Sequence, residues 1–219
     1  MTPKICDALF DAGVDVLTTG NHVWDKPEII PYIETQPRLL RPLNMPEATP
    51  GDGVVTRTND AGKRLTVVNV MTNLFMVANE PVFAALDGAL VRHKLGRDAD
   101  FILIDVHGEA TSEKMALGHM VDGRASMLVG THTHVPTADH RILPGGTAYQ
   151  TDTGMCGDYD SVIGMNKEAA TDRFTGRGNS RLSVALGAVT TCGLLVEADD
   201  TGMAQTVRPW RRGGELAPA

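Results

Sequence analysis

The sequence predicts an α/β protein, and three observations carry that prediction. Short apolar, β-branched runs alternate with segments of helical spacing, the pattern of layered sheets and helices. Three of the runs lead into polar clusters. Val14-Asp15-Val16-Leu17 precedes Gly20-Asn21-His22, Phe101-Ile102-Leu103-Ile104 precedes Asp105-Val106-His107, and Met127-Leu128-Val129 precedes Gly130-Thr131-His132-Thr133-His134. Clusters at the ends of parallel strands converge on one rim of a sheet, where such folds place their sites. Finally, 219 residues with 42% hydrophobic and 21% charged side chains suit one large domain with a substantial core.

Taken in order, residues 2–13 read as a helix with Ile5, Leu9 and Phe10 on one face and Gly13 as its stop. A strand is expected at 14–18, then the Gly20-Asn21-His22 turn. Asp25 is placed to cap a helix with Pro27 in its first turn and Ile29, Ile30 and Ile33 buried. The stretch 41–53 holds Pro42, Pro46, Pro50, Gly51 and Gly53 and reads as a loop. Strands follow at 65–71, 101–104, 127–129, 148–151 and 193–196, with helices at 82–95 and 112–119. The domain is drawn over 1–200. Residues 201–219, polar and carrying Arg208, Arg211 and Arg212, read as a frayed tail.

Composition excludes several classes. No apolar stretch approaches the ~20 residues of a membrane-spanning helix, and the first residues lack a signal-peptide core. A cytoplasmic location is the expectation. A formal net charge of −7 argues against a phosphate-tracking surface for duplex nucleic acid, while leaving room for a small phosphorylated ligand. Cys6, Cys156 and Cys192 form no CxxC pair and are expected to be buried free thiols. Self-association to a homo-oligomer stays open.

Asn and His are ligand types that a borderline metal accepts, through amide oxygen and imidazole nitrogen. His132 and His134 share a face if their segment is extended. A lone pair of this kind is more often structural. Following an apolar strand and a glycine, beside two similar clusters, it points to ligation. His107 alone is weak evidence. Asp105 and Glu109 beside it either support it by accepting a ring N–H or are solvated loop carboxylates. Asn21 and His22 form the sharpest pair, although Gly-Asn is also ordinary turn chemistry.

These residues lie in longer motifs. GNHVWDK at 20–26, DVHGEATSEK at 105–114, DGRAS at 122–126, GTHTHVPTADHRILPGGTAY at 130–149 and TDTGM at 151–155 resemble the YmdB-like family. That family is a branch of the calcineurin-like metallophosphoesterases, some of which hydrolyse cyclic nucleotides. The resemblance covers the chain to about residue 198.

The resemblance implies a two-sheet sandwich flanked by helices, with two metal ions (Fe, Mn or Zn) at the strand ends. It implies Asn21, His107 and His132 as ligands of one metal and His134 as a ligand of the other. His22 matches the family's proton-donating histidine. Arg124 lies in a matching motif and reads as a structural ion pair. The implied activity is hydrolysis of small phosphodiesters, 2′,3′-cyclic nucleotides foremost, by a metal-activated hydroxide with a histidine general acid. Family members open with a strand carrying Gly-Asp and a second ending in Asn-x-Glu-Asn, which supply an aspartate and the carboxylate bridging both metals. This chain starts downstream of both motifs, so an N-terminally truncated member lacking the first two strands is the expectation. Asp7, Asp11 and Asp15 offer no substitute. Two other classes remain. One is a phosphate- or nucleotide-binding regulatory protein of the same fold with impaired turnover. The other is an amidohydrolase-type barrel, whose His-x-His pair sits on the first strand rather than past mid-chain.

Overall fold

The apolar runs at 65–71, 101–104 and 127–129 become the central strands of a six-stranded sheet. In the computed structural model, which describes residues 1–76, 80–178 and 181–219, fourteen elements follow one another. They are α1 (Pro3–Asp11), α2 (Ile29–Ile33), β1 (Val54–Thr58), β2 (Arg64–Met71), α3 (Val82–Arg92), β3 (Phe101–His107), α4 (Thr111–Val121), β4 (Met127–Thr131), β5 (Arg141–Ile142), β6 (Ala148–Gln150), β7 (Gly157–Asp158), α5 (Lys167–Thr175), β8 (Val189–Ala198) and β9 (Ala204–Arg212). The large sheet runs β1-β2-β3-β4-β6-β5; β2, β3, β4 and β6 are parallel, and β1 and β5 close its edges antiparallel. A three-stranded sheet, β7-β8-β9, is antiparallel.

Side chains alternate across a strand, so each central strand feeds two layers. Val68, Val70, Ile102, Ile104, Val106 and Leu128 pack with Val82, Leu86 and Ala89 of α3 and with Leu117 and Val121 of α4. Met127, Val129 and Ala148 pack instead with Phe101, Leu103, and with Leu194, Val196, Ala204 and Val207 of the small sheet. The fold is thus α/β with two sheets and flanking helices. A truncation such as Leu86→Ala, at a fully buried position, costs about 2–5 kcal/mol. A third cluster, Cys6, Phe10, Leu17, Val23, Ile29, Ile33 and Leu39, holds the N-terminal helices together.

The same alternation positions the site. Register pairs Asn69 with Asp105, and His107 with Thr131, so polar residues of three adjacent strands meet at one rim.

Several expectations need correction. The stretch 14–18 forms no ladder; Leu17 makes one parallel bridge to Leu39, with Leu17 N–H on Arg38 O and Leu40 N–H on Leu17 O, both 2.8 Å. In α1 the buried face is Cys6 and Phe10, while Ile5 is exposed, because the 3.6-residue period carries Ile5 off the face that Phe10 occupies. Helix α2 follows Glu28, uses no side-chain cap and leaves Ile30 exposed. The expected tail at 201–219 contains β9, whose Arg-rich sequence is that of a half-exposed strand paired along β8. Among the thiols only Cys6 is buried; Cys156 is exposed and Cys192 intermediate, and all three are free. Elements β1, β5, β7 and α5 were not expected at all. β1 is polar and half-exposed, and α5 buries only Ala170, so neither carries a strong apolar period. No helix among the described residues is long and apolar enough to cross a membrane.

Candidate metal centre

Asn21, His107 and His132 converge at the ends of β3 and β4. Asn21 sits on the turn closed by Val23 N–H on Gly20 O. Gly20 is required there, since a Cβ would lie 2.2 Å from the His107 ring. Asn21 Oδ1 is 2.9 Å from His107 Nε2, and His132 Nδ1 is 3.2 Å from the same nitrogen. The two imidazoles stand edge to face, with centroids 4.9 Å apart and planes at 77°.

A proton relay assigns the His107 tautomer. Thr131 Oγ1 donates to Asp105 Oδ1 at 2.8 Å. Its hydroxyl proton is thereby spent, so it accepts from His107 Nδ1–H at 3.1 Å. That leaves Nε2 as a lone pair facing the Asn21 amide oxygen, an acceptor. Burial, reinforced by His132 and Lys114, pushes the His107 imidazolium down to about 3, so the ring is neutral at pH 7. Burial raises Asp105 to about 6, against hydrogen bonds from Thr18 and Thr131. Beneath it, Asn69 Oδ1 accepts from Thr19 N–H at 3.2 Å and ties the Gly20 turn to the sheet.

His132 Nε2 lies 3.4 Å from Glu109 Oε2. The carboxylate faces that nitrogen, while Nδ1 faces His107. Burial lowers the His132 pKa, with Glu109 opposing. His107 Nε2, His132 Nδ1 and the Asn21 amide oxygen then meet in one small space. The 2.9 and 3.2 Å separations match the ~3.0–3.4 Å expected between ligands with metal bonds of ~2.1 Å. On these grounds the residues fit a divalent cation. The set is two histidines and an amide; among the described residues no three or more His, Cys, Asp or Glu side chains are grouped to hold a metal.

The other two expected residues stand apart from this cluster. His134, exposed and at φ +66°, bonds Ile163 O through Nδ1 at 2.8 Å, leaving its Nε2 free. His22 points to solvent with its side chain 76% exposed, its Nδ1 2.9 Å from Asp25 Oδ2. Arg124 pairs with Asp87 at 2.8 Å on the surface, as the ion-pair reading anticipated. Asp105 supports His107 through Thr131 rather than directly, and Glu109 serves His132. Sequence reasoning missed Thr131, Lys114 and Asp152. Lys114 and Asp152 are fully buried beneath the His132 loop. Their signal was present in the motifs DVHGEATSEK and TDTGM, as charged residues in otherwise buried segments. A cavity of about 530 Å³ lined by Arg64, Leu65, Asp100 and Phe101 opens at the opposite ends of β2 and β3, away from this chemistry.

Comparison with known proteins gives concordant findings. A family model described as YmdB-like protein matches residues 1–210. The chain is 46% identical over 200 residues to the 2′,3′-cyclic-nucleotide 2′-phosphodiesterase of Bacillus subtilis, covering 91% of this chain and 75% of that protein. A crystal structure of a hypothetical protein from Thermus thermophilus superimposes with a TM-score of 0.89 at 39% identity, covering 98% of this chain and 82% of the other. A novel phosphatase from Mycoplasma pneumoniae gives 0.87 at 31% identity, covering 97% and 77%.

Proposed function

The chain belongs to the YmdB-like protein family, and from that membership and the geometry of the rim we propose that it is a metal-dependent phosphodiesterase. Its proposed substrates are small phosphodiesters, with 2′,3′-cyclic nucleotides foremost, the class named for the Bacillus subtilis relative. The observation that carries the proposal is the meeting of three ligand-type atoms, with Asn21 Oδ1 2.9 Å and His132 Nδ1 3.2 Å from His107 Nε2.

Asn21, His107 and His132 would hold one divalent ion, Fe, Mn or Zn, and His134 would contribute to a second. When bound, such ions supply Lewis-acid charge to the phosphoryl oxygens and make water a better nucleophile. The protein's own residues do the rest. The Asp105–Thr131 relay holds His107 in the ligating tautomer, and Ile163 O does the same for His134. His22, anchored through Nδ1 on Asp25, keeps Nε2 free to hand a proton to the departing ester oxygen. General acid catalysis of this kind contributes roughly 10²–10⁴-fold.

One observation favours a second reading. The three converging donors are all neutral, and the nearby carboxylates of Asp105 and Glu109 are turned to Thr131 and His132. A phosphate- or nucleotide-binding protein with impaired turnover would show this. Incubation with Mn²⁺ and 2′,3′-cyclic AMP separates the two. Release of nucleoside monophosphate that EDTA abolishes supports the phosphodiesterase. Saturable nucleotide binding without product supports the second reading, and absence of both overturns each.

A further inference from the structure

Lys114 occupies a core position of α4. The buried residues of that helix include Lys114, Leu117, Gly118 and Val121, the i, i+3, i+4, i+7 stripe that normally carries apolar side chains. Its ammonium group is fully buried with the equally buried Asp152. Replacing a buried ion pair by apolar side chains is often neutral or stabilising, so stability alone gives no reason for this one.

Its contacts give a reason. Lys114 Nζ donates to Thr131 O at 2.7 Å and to Asp152 Oδ2 at 3.2 Å. Asp152 Oδ2 accepts from Thr133 N–H at 3.0 Å, and Oδ1 accepts from Gly154 N–H at 2.9 Å. The pair therefore grips the carbonyl before His132 and the amide after it. His132 itself sits at φ +103°, a conformation that a non-glycine residue keeps only when its surroundings over-determine it. The approach is close-packed: a Cβ on Gly130 would lie 1.7 Å from Thr151 O and 2.9 Å from Lys114 Cδ.

We propose that Lys114 and Asp152 are positioning residues, a buried ionic clamp that forces the His132 backbone to positive φ and so turns its Nδ1 towards His107. This deepens the phosphodiesterase reading and rests on it for its purpose, although the clamp can be tested without it.

The test uses Lys114→Met, Asp152→Asn and the double variant in the whole protein. Three quantities are read: melting temperature, Mn²⁺ affinity and the three-bond HN–Hα coupling of His132, which reports φ. Lys114→Met strands a buried carboxylate and should lower the melting temperature, shift the coupling and weaken Mn²⁺ binding at least tenfold. The double variant removes the stranded charge and should regain most of the lost stability, yet recover neither the coupling nor the affinity, because methionine cannot hold Thr131 O. If coupling and affinity return together with stability, the pair is merely structural and the proposal fails. It fails equally if Lys114→Met leaves either quantity unchanged. Should Lys114→Met not fold, Asp152→Asn supplies the same readouts. If the wild-type protein binds no Mn²⁺, the phosphodiesterase reading falls, and the coupling still decides the clamp.

Discussion

The half-buried cluster of Asn21, His107 and His132 and the exposed pair of His22 and His134 are built differently at the same rim. His107 is held by a two-step relay to a buried aspartate, and His132 by Glu109 and a backbone gripped on both sides. His22 and His134 each rest on one contact, to Asp25 and to Ile163 O. The contrast teaches a division of labour. Donors that meet at one point are half-buried and pre-oriented by their neighbours. Under the proposed function, the exposed His22 is free at one nitrogen to move a proton and the exposed His134 to help hold a second ion.

That comparison can be broken by substitution. The largest effect is expected for His132→Ala, which should remove ion binding and phosphodiesterase turnover together, by more than about 10²-fold each, given that even residues supporting a ligand cost 10–100-fold. Metal analysis after extensive dialysis checks it, with the wild type retaining at most one divalent ion per chain. Retained metal in His132→Ala would dissolve the distinction between the two regions.

His22→Ala should lower kcat by roughly 10²-fold or more while leaving metal content unchanged. Its defect should shrink on p-nitrophenyl phosphodiesters, whose leaving group needs little protonation. Loss of metal in this variant would move His22 into the ligand set and overturn its assignment.

Thr131→Val sharpens the comparison further. It deletes the relay that fixes the His107 tautomer and should weaken Mn²⁺ affinity about 10–100-fold, with little change in secondary structure by circular dichroism. An unchanged affinity would mean that the relay is incidental.

The smallest effect lies away from the rim, at a half-exposed ion pair that serves as the control. Hydrogen bonds from the Arg64 side chain, then from its backbone N–H, hold Asp100 down at about 2. Its ionised form is thus favoured by folding, and the stabilisation is complete above its ordinary pKa of 3.8 and lost as pH falls from there through about 2. Solvent screening keeps the effect modest. Asp100→Asn should flatten the decline of melting temperature between pH 4 and pH 2 and leave Mn²⁺ affinity at neutral pH untouched. A neutral-pH loss of affinity would show that this distant pair couples to the rim after all.

Legibility in the sequence followed the strength of local pattern. The strands at 65–71, 101–104 and 127–129 are dominated by apolar and β-branched residues, broken only by Asn69, and appear where expected, each a residue or a few longer. The segment 14–18, interrupted by Asp15, is otherwise similar and yet forms one bridge among the described residues, from Leu17 to Leu39, because a strand is defined by its neighbours. β9 was invisible for the converse reason. Arg208, Arg211 and Arg212 look like a solvated tail, but β8 supplies a ladder along its length. At the site, the residue types Asn21, His107, His132, His134 and His22 were legible from motif and spacing. Lys114 was not, since a charged residue on a helix normally reads as a solvated face.

By itself the sequence determined the alternation of strands and helices, the glycine turns and the presence of imidazole and amide donors at strand ends. All of these follow from backbone sterics and from the two- and near-four-residue periods, which act within a few residues of chain. Tertiary structure alone decided that Asn21 meets His107 across 86 positions, and that Thr131 lies opposite His107 to fix its tautomer. It alone decided that a buried lysine grips the carbonyl before His132. Those outcomes depend on strand order, register and the depth of each residue in the core. A one-residue slip in register would send every side chain of a strand to the other face, so convergence of the donors is a property of the packed sheet and not of any segment.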